Sequence, residues 1–591
     1  MSSAPARQMR RSVLICALSA ALLALPGLSA SAQTVDTLPG VYPSGAHRGE
    51  AAIAALGARL TDVAQANNTT AAELAEQLRS DENLWVDGEG KLFFVDIPLY
   101  REATSESSSY ADVGSISTDD AFLLHSNPGA SQVIYMDFTG HQSVNNSWGH
   151  NITFPPYNTG GSSASFSENE LNEIITWWLY VVEDFSSFDV DVTTEEPPLS
   201  SLQKSGGGDA VWGVRCLITQ PTSGFGNGIG GVAFLNSFDD SIDNPCFAFN
   251  KGNNTGSMTV SHEVGHTLGL SHDGLNGSTY HPGSGSGETS WGPIMGAPFG
   301  SSLVQWSKGE YSGATATQND LNIITKTANG IDYVGDDHGD DENNASPIGM
   351  PTGCPIPGPG TASGVIERNN DVDAFFFTTT GGQITLAVEP INPGGHLDIQ
   401  MELLDGAGIP VATINEANEA DATTTISLAA GTYYVLVDGV GKTGSYTDYG
   451  SIGQYTVSLT LAGQQPISNL GGSVATTVFG VTPQLNIGGT PCGGTAIQLS
   501  VLTAKANTSA WLFLGVSELS APFKGGVLVP NSAAPGGILS FNTNFLGTVS
   551  VNTTWPVGLP PGLELYLQFW IQDGAGPFGF TATDGYKIIS L

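Results

Sequence analysis

The sequence has few positive charges. Only 18 of its 591 residues are lysine or arginine, against 56 aspartates and glutamates, so the formal net charge is −38. A surface this negative repels phosphate backbones, and we therefore exclude nucleic acid as a partner. The excess of carboxylates keeps the chain soluble, and it leaves open that some of them bind Ca²⁺ locally.

Long apolar runs and cysteines are also scarce. Beyond the N-terminus no apolar run reaches the length of a membrane span, so we expect no stable membrane insertion. No CxxC pair occurs, which argues against a zinc site built from thiolates. Cys216 and Cys246 fall in one predicted domain and are candidates for a disulfide, whereas the pairing of Cys354 and Cys492 stays open.

The N-terminus has the three parts of a secretory signal. Arg7, Arg10 and Arg11 precede the short apolar run 12–25, and a small-residue cleavage site follows at 30–32. We expect cleavage directly after this site and secretion of the remaining chain.

The sequence is too long for one hydrophobic core, because single cores stop growing at roughly 250–300 residues. We therefore expect several domains. Shifts in composition and pattern predict six segments: a signal peptide (1–32), a propeptide or N-terminal region (33–128), a mixed α/β domain (129–334), an acidic and then Pro/Gly-rich linker (335–360), a β-sandwich (361–463) and a β-rich C-terminal module (464–591).

The N-terminal region combines helical and strand patterns. Residues 71–78 have the spacing of a helix, and residues 84–97 hold two apolar runs around a Gly-containing turn, which predicts a hairpin. Residues 104–117 are polar and serine-rich, as expected of an exposed processing site.

In the segment 129–334, strands and helices alternate. A helix over 167–183 has one apolar face and begins with a capping box made by Ser167 and Glu170. Strand patterns lie around it at 133–141, 188–194, 210–218 and 230–236. The alternation predicts an α/β domain with a mixed twisted sheet. Beyond residue 361 the apolar period is two, which predicts two all-β, sandwich-like modules.

The segment 261–273, SHEVGHTLGLSHD, concentrates metal-binding chemistry. His262 and His266 are four residues apart, so a helix places both imidazoles on one face. Gly269 permits the left-handed turn that ends such a helix, and His272 can then return to the same ion.

Three neutral imidazoles with an open fourth position are typical of a catalytic zinc site rather than a closed structural one. Glu263 adjoins the first histidine and is the candidate general base, which takes a proton from the attacking water and passes it to the leaving amine. The sequence thus predicts one catalytic Zn²⁺, and Ca²⁺ is a second candidate ion.

This motif, HExxHxxGxxH, resembles that of the metzincin zinc peptidases. Their second mark is a methionine turn, and the segment 291–296, WGPIMG, looks like that turn, with Met295 as the apolar floor under the metal. The resemblance is to the reprolysin-like (adamalysin-like) bacterial group. Ala297 stands where astacins and serralysins have a metal-binding tyrosine. The resemblance implies an α/β metzincin catalytic domain with an active-site helix.

Metzincins bind their substrate as an added β-strand, and the segment 230–236 before the active helix is the expected edge. Gly231, Val232 and Ala233 are its candidate substrate-binding residues. Tyr280 and His281 are candidates for lining the cleft, or belong to a surface loop.

Some metzincin propeptides keep the enzyme inactive by placing a cysteine thiolate on the zinc. This is impossible here, because no cysteine lies between residues 33 and 127. A carboxylate such as Asp96, or plain steric cover, are the alternatives. Further along, NNDVDAFFF (369–377) and GSYTDYGSIGQYTV (444–457) resemble the pre-peptidase C-terminal domain, a β-sandwich found on secreted peptidases.

The sequence therefore predicts a secreted, monomeric zinc endopeptidase that acts on extracellular polypeptides. One alternative is a surface- or glycan-binding protein whose β modules carry the function, with Trp511, Trp555 and Trp570 as candidate platforms. Another is a zinc hydrolase of non-peptide amides, against which the extended edge strand argues.

Overall fold

The computed structural model describes residues 42–97, 116–149, 151–159, 165–220, 225, 228–349, 360–379, 382–429, 431–461, 466–477, 480–533, 536–559 and 563–590. The chain divides into two compact units, Met1–Leu38 and Pro39–Leu591, and the described residues all belong to the second. The predicted signal peptide, most of the predicted processing site and Cys354 lie outside them.

The described residues of the N-terminal region contain three α-helices and three strands. The helices are α1 Gly49–Leu56, α2 Leu60–Ala66 and α3 Ala71–Ser80, and the strands are β1 His47–Arg48, β2 Leu84–Val86 and β3 Leu92–Asp96. The predicted helix is confirmed by α3, which begins with a capping box between Thr70 and Glu73. The predicted hairpin is confirmed by the antiparallel pair β2–β3.

The next part of the chain adds nine strands and three helices, in the order β4 Gln132–Asp137, β5 His141–Ser143, β6 Ile152–Phe154, α4 Glu168–Asp184, β7 Asp191–Thr193, β8 Trp212–Ile218, β9 Gly231–Phe234, β10 Cys246–Ala248, α5 Asn253–Leu268, β11 Trp291–Pro293, β12 Leu303–Gln305 and α6 Asp320–Ile324. The predicted capping box of α4 is confirmed, because Ser167 and Glu170 exchange main-chain to side-chain hydrogen bonds.

Eight strands form one mixed sheet in the order β1-β2-β3-β9-β10-β8-β4-β7. Neighbours are parallel from β10 through β8 and β4 to β7, and antiparallel from β1 to β10. The N-terminal hairpin therefore continues the sheet of the following segment. Its strand β3 pairs with β9, with Phe94 opposite Ala233 and Asp96 opposite Gly231.

The predicted fold class, with an α/β metzincin catalytic domain, is wrong. The structure is mostly β, with 37% of the described residues in strands and 16% in helices, and the strands are distributed over many sheets. The prediction extended the alternation of strands with two long helices, α4 and α5, to the whole segment. In the described structure more residues pair between strands than lie in helices, and the hairpin contributed by the N-terminal region joins the largest of these sheets.

Cys216 and Cys246 do not form the disulfide for which they were candidates. They are neighbours in register on the parallel strands β8 and β10, and both thiols are free and buried. The Cys246 thiol donates to the main-chain oxygen of Arg215 over 3.7 Å, so both cysteines act as small core side chains. Cys492 is disulfide-bonded, with its partner outside the described residues.

Two further sheets make a β-sandwich. Its strands are β13 Ser346–Pro347, β14 Gly360–Ile366, β15 Val372–Thr379, β16 Gly382–Pro390, β17 Ile399–Asp405, β18 Pro410–Ile414, β19 Ala422–Leu428, β20 Gly431–Gly439 and β21 Gly453–Leu461. One sheet has the order β13-β15-β20-β17-β18, and the other has the order β14-β21-β16-β19. Buried and exposed residues alternate along the strands, and the predicted β-sandwich character is confirmed.

The C-terminal module is also made of strands: β22 Ile467–Gly471, β23 Gln484–Gly489, β24 Ala496–Leu502, β25 Ser509–Gly515, β26 Glu518–Phe523, β27 Gly526–Pro530, β28 Gly536–Asn542, β29 Val549–Thr554, β30 Glu564–Gln572, β31 Phe580–Ala582 and β32 Gly585–Ile589. They form sheets of six, three and two strands around a core of their own. Among the residues described, no helix is long and apolar enough to span a membrane.

The sandwich packs directly against α4, and the two share one hydrophobic core. At this contact Gln454 donates from its main-chain N and its side-chain amide to the carboxylate of Glu183, over 3.0 and 2.9 Å. Next to it, Nε2 of His396 lies 2.7 Å from Oδ1 of Asp184. Asp184 also accepts a hydrogen bond from Ser261 on α5. His396 of the sandwich is therefore linked through Asp184 to the helix that carries the histidine motif.

Helices α4 and α5 approach closely where Gly256 faces the ring of Trp177. A Cβ at position 256 would overlap that ring, which is completely buried. We expect Gly256→Ala to lower the free energy of unfolding by about 1–3 kcal/mol, because a packed core cannot yield to the extra methyl group. Denaturant unfolding would measure this loss. Gly207→Ala is the matched control, because nothing lies near its Cβ position; equal stability of the two variants would contradict the packing argument.

Candidate metal centre

Helix α5 presents two histidines of the motif on one buried face. The rings of His262 and His266 have their centroids 4.8 Å apart, as expected for positions one helical turn apart. Both side chains are buried, since the helix lies between α4 and the strands β8 to β10. The i and i+4 spacing therefore produces the geometry that the sequence predicts.

The helix ends in a left-handed turn that returns the third histidine to the first two. Gly269 has φ 112°, and its N–H and that of Leu270 donate to the Gly265 oxygen, over 3.1 and 2.9 Å. The ring of His272 then lies 4.9 Å from that of His266 and 5.3 Å from that of His262. A side chain at position 269 would also meet the amide of Asn236, so glycine is required there.

Each of the three imidazoles uses Nδ1 for a hydrogen bond to an acceptor. Nδ1 of His262 lies 2.8 Å from the Ile294 oxygen, and Nδ1 of His266 lies 2.7 Å from the Leu270 oxygen. Nδ1 of His272 lies 2.6 Å from Oδ2 of Asp81. Main-chain carbonyls and carboxylates only accept, so Nδ1 carries the proton in all three rings. The lone pair of each neutral imidazole is therefore on Nε2.

The three Nε2 atoms converge on the carboxylate of Asp96, the last residue of β3. Those of His262 and His266 lie 3.2 and 3.3 Å from Oδ2, and that of His272 lies 3.1 Å from Oδ1. Nε2 of His262 and of His272 make no aligned hydrogen bond despite these distances. Nε2 of His266 is within hydrogen-bond distance of Oδ2 of Asp96, so only the other two Nε2 atoms lack a partner. Three ring nitrogens that converge on one carboxylate are an arrangement that can surround an ion.

These four side chains form a group that can hold a metal ion, because one ligand atom from each lies within 4.8 Å of the others. Three imidazole nitrogens and one carboxylate oxygen match the number and type of ligands that Zn²⁺ takes in tetrahedral sites. The buried, unpartnered Nε2 atoms fit such an ion. The histidines predicted from the motif are thus brought together, and Asp96 joins them from the N-terminal region.

The electrostatics of the group follow from burial and from the shared carboxylate. Burial alone would raise the pKa of Asp96, yet the three histidines hold it well below its usual range. Burial lowers the pKa of His266 to about 4. For His272 burial acts in the same direction, but Asp81 and Asp96 outweigh it and raise its pKa to about 10.

Glu263 lies beside this group without belonging to it. The residue is fully buried, and neither carboxylate oxygen has a hydrogen-bond partner. Burial, and next the negative charge of Asp96, raise its pKa well above the usual value. Its carboxylate occupies the space that a side chain at Gly231 would take, so this glycine makes room for it.

The predicted methionine turn lies directly under the histidines. Met295 is completely buried, and its sulfur lies against Gly265, where a Cβ would come within 2.6 Å of it. The preceding residue, Ile294, supplies the oxygen that accepts from His262. The turn therefore both supports α5 and orients one of its imidazoles.

The strand with the predicted substrate-binding residues Gly231, Val232 and Ala233 is β9. One side of β9 pairs with β10, and the other side pairs with β3. Within the described structure β9 is therefore not a free edge, because the N-terminal hairpin occupies the position at which an added strand would bind.

Of the two candidates for lining the cleft, Tyr280 is at the site. Its hydroxyl donates to Oδ1 of Asp96 over 2.9 Å and accepts from Asn83 over 2.8 Å. His281 instead packs against Trp291 and Tyr311, and burial lowers its pKa. The roles of Asp81 and Asn83 could not be predicted from the sequence, because a single polar residue after a helix carries no signal of a distant contact.

A second carboxylate group lies where the acidic linker meets the sandwich. Oxygens of Asp336, Asp371 and Asp373 come within 4.8 Å of one another. Asp373 is fully buried, and one of its oxygens has no hydrogen-bond partner. The same holds for one oxygen of the nearby Glu367, which is 3% exposed.

No family model and no curated protein sequence matches the chain. Among solved structures it is similar to the pre-peptidase C-terminal domain of a Bacillus anthracis collagenase, with 17% identity over 21% of this chain and 99% of that one, and a TM-score of 0.15. It is also similar to a periplasmic inhibitor of g-type lysozyme from Aeromonas hydrophila, with 10% identity over 20% of this chain and 94% of that one, and again a TM-score of 0.15. Values this low carry no argument about fold or function.

The geometry predicts that the histidine group binds a metal and that Glu263 is not a ligand. We expect the full chain to retain one equivalent of Zn²⁺ at this group after dialysis, and Glu263→Gln to retain the same amount. His266→Ala should lose it, because three ligands then remain without the central imidazole. Elemental analysis measures the bound zinc. Only preparations whose circular dichroism spectrum is native are compared. Full retention by His266→Ala would place the ion elsewhere.

Proposed function

We propose that the chain is a secreted zinc endopeptidase that hydrolyses extracellular polypeptides. The observation that carries the proposal is the fixed tautomer of the three imidazoles, whose Nε2 atoms converge beside an unpartnered glutamate. Structural zinc sites use all four positions for protein ligands, whereas a ligand that can be withdrawn leaves a position for substrate. Here that ligand is Asp96, which comes from a different part of the chain.

In this proposal His262, His266 and His272 hold the metal, which when bound supplies Lewis-acid activation of water and of the scissile carbonyl. Glu263 takes the proton from the attacking water and delivers it to the nitrogen of the leaving amine. A raised pKa suits both steps, because a carboxylate that is a stronger base also holds the proton until the amine leaves. The complete burial of Glu263 limits access of bulk water to its carboxylate.

The substrate class follows from β9. A polypeptide can pair with β9 only after β3 has left, and it would then gain main-chain hydrogen bonds in the same register. Next to Glu263 the cleft is lined by Met258, Ala297 and Phe299, which suit an apolar side chain beside the scissile bond. Pairing through the main chain favours unstructured polypeptides over small amides.

The N-terminal region is, in this proposal, a propeptide that keeps the enzyme latent in two ways. Its strand β3 covers the edge of β9, and Asp96 at the end of that strand takes the position next to the three Nε2 atoms. Both sequence-based alternatives, a carboxylate and steric cover, are thus combined in one strand. Activation would require a cut after β3.

The binding-protein alternative has less support. Trp555 and Trp570 are 5% and 1% exposed, which makes them core residues of the C-terminal module rather than platforms for a ligand. Trp511 is half-buried and packs against Phe580.

Hydrolysis of casein tests the proposal. Limited trypsin treatment should cut after Arg101, the single basic residue between Lys91 and Lys204, and thereby release the hairpin. We expect casein cleavage to appear only after this cut. Glu263→Gln should retain Zn²⁺ but lose activity by about 10²–10⁴-fold, the usual contribution of a general base.

The uncut chain is the control for latency, and inhibited trypsin alone is the control for residual protease. Cleavage by Glu263→Gln at the wild-type rate would refute the role of the glutamate. A cut, zinc-loaded chain that cleaves no polypeptide would refute the endopeptidase.

The second carboxylate group supports a further part of the cofactor proposal, a structural Ca²⁺. Burial, and then the neighbouring carboxylates, raise the pKa of Glu367 to about 9 and of Asp373 to about 8. No basic side chain forms an ion pair with either residue in the described structure. Carboxylate oxygens that lack both a proton donor and a counter-charge suit a hard cation, and Ca²⁺ prefers such ligands.

Calcium should therefore stabilise the folded chain. An acid whose pKa is raised on folding costs stability once the pH exceeds its unfolded pKa, so without Ca²⁺ the free energy of unfolding should fall between about pH 4 and pH 9. Added Ca²⁺ should reverse the fall and raise the melting temperature of zinc-loaded protein. Asp373→Asn should abolish the calcium shift, whereas Glu416→Gln, an exposed acid of the same sandwich, should keep it. If added Ca²⁺ leaves the melting temperature of the wild-type chain unchanged, the calcium site is excluded.

A further inference from the structure

The hydrogen-bond partner of His272 differs from those of the other two histidines. His262 and His266 bond to main-chain oxygens that come from the segment 262–294, close to the motif itself. His272 bonds to Asp81, which is 191 positions away in sequence and belongs to the N-terminal region. One of the three imidazoles is therefore oriented by a side chain from the segment that the proposed activation removes.

The position of Asp81 is well defined by its local structure. Helix α3 ends at Ser80, and Asp81 is its C-terminal cap, with its N–H donating to the Gln77 oxygen over 2.8 Å. Its Oδ1 accepts from the N–H of Asn83 over 2.9 Å, which leaves Oδ2 directed at Nδ1 of His272 over 2.6 Å. The carboxylate is thus held on one side by the turn and is not a chance surface contact.

The same part of the N-terminal region encloses the His272 ring. The ring of Phe94 on β3 lies 4.5 Å from it, and the ring of Tyr280 lies 4.5 Å from it as well. Asn83 donates to the Tyr280 hydroxyl over 2.8 Å. Three residues from 81–94 therefore act on the ring, directly or through Tyr280.

We propose that Asp81 is a positioning residue that the N-terminal region supplies to the metal centre. It keeps the proton of His272 on Nδ1 and holds the ring so that Nε2 faces the other two. The inference rests on the proposed function for the identity of the metal and for the removal of the segment. It adds that the N-terminal region, whose Asp96 lies against the three Nε2 atoms, also holds one of the three imidazoles in place.

The physical basis is the effect of a carboxylate on a metal-bound imidazole. A carboxylate that accepts from the distal N–H fixes the tautomer and raises the basicity of the other nitrogen, and its loss costs about 10–100-fold in metal affinity. The main-chain acceptors of the other two histidines stay in place when the N-terminal region leaves. Release of this region would therefore weaken one ligand while it opens the site.

The test compares zinc affinity in the uncut full chain and does not depend on catalysis. Asp81→Asn retains the acceptor for the Asn83 N–H but has no carboxylate for His272. We expect its dissociation constant for Zn²⁺, measured by competition with a chromogenic chelator, to rise by about 10–100-fold. Glu82→Gln, an exposed neighbour on the same turn, should bind like the wild type. Asp81→Glu should recover part of the loss, because it restores a carboxylate.

Folding is controlled by the melting temperature of the metal-free variants, which should match that of the metal-free wild type. If Asp81→Asn fails this control, Asp81→Ser takes its place, and an affinity of Asp81→Glu for zinc no better than that of Asp81→Ser overturns the inference. Wild-type affinity in Asp81→Asn also overturns it and leaves the peptidase proposal untouched. A wild-type chain that binds no Zn²⁺ overturns both.

Discussion

The hydrogen bonds at Nδ1 of the three histidines are the constraint on which the metal centre depends. A free imidazole exchanges its proton between two nitrogens and turns about its side-chain bonds. Here the oxygens of Ile294 and Leu270 and the carboxylate of Asp81 hold the proton on one side of each ring. The Nε2 atoms on the opposite sides of the rings therefore face one common volume, and the group is preorganised to hold an ion.

Several distant parts of the chain supply the acceptors for these hydrogen bonds. The methionine turn supplies one acceptor and supports α5, the left-handed turn at Gly269 supplies another, and the N-terminal region supplies the third. The sandwich contributes indirectly, because His396 contacts the Asp184 carboxylate that accepts from Ser261, one residue before the first histidine. The centre therefore depends on the N-terminal region, the methionine turn and the sandwich as well as on α5.

The N-terminal hairpin has two opposite effects on the site. Strand β3 completes the sheet and blocks β9, while Asp96 at its end brings a carboxylate to 3.2, 3.3 and 3.1 Å from the Nε2 atoms of the three histidines. The strand that covers β9 thus also adds a fourth side chain to the set of groups that could hold an ion. Because β3 lies outside the segment 129–334, its pairing with β9 could not be predicted from that segment alone.

Local physics made the motif predictable from the sequence. The i and i+4 spacing of two histidines, the glycine that ends the helix and the capping box of α4 depend on residues a few positions apart, so their geometry follows from the chain itself. The alternating pattern of the sandwich is equally local, because strand periodicity is a property of the backbone.

Only the tertiary structure decided the remaining features. The pairing of β3 with β9, the placement of Asp96 among three histidines and the contact of Asp81 with His272 join residues more than 130 positions apart, and nothing in their local sequence encodes a partner. The same is true of the fold class and of the free thiols of Cys216 and Cys246, which depend on which strands become neighbours. Sequence determined which groups carry the chemistry; packing over long separations determined which of them meet.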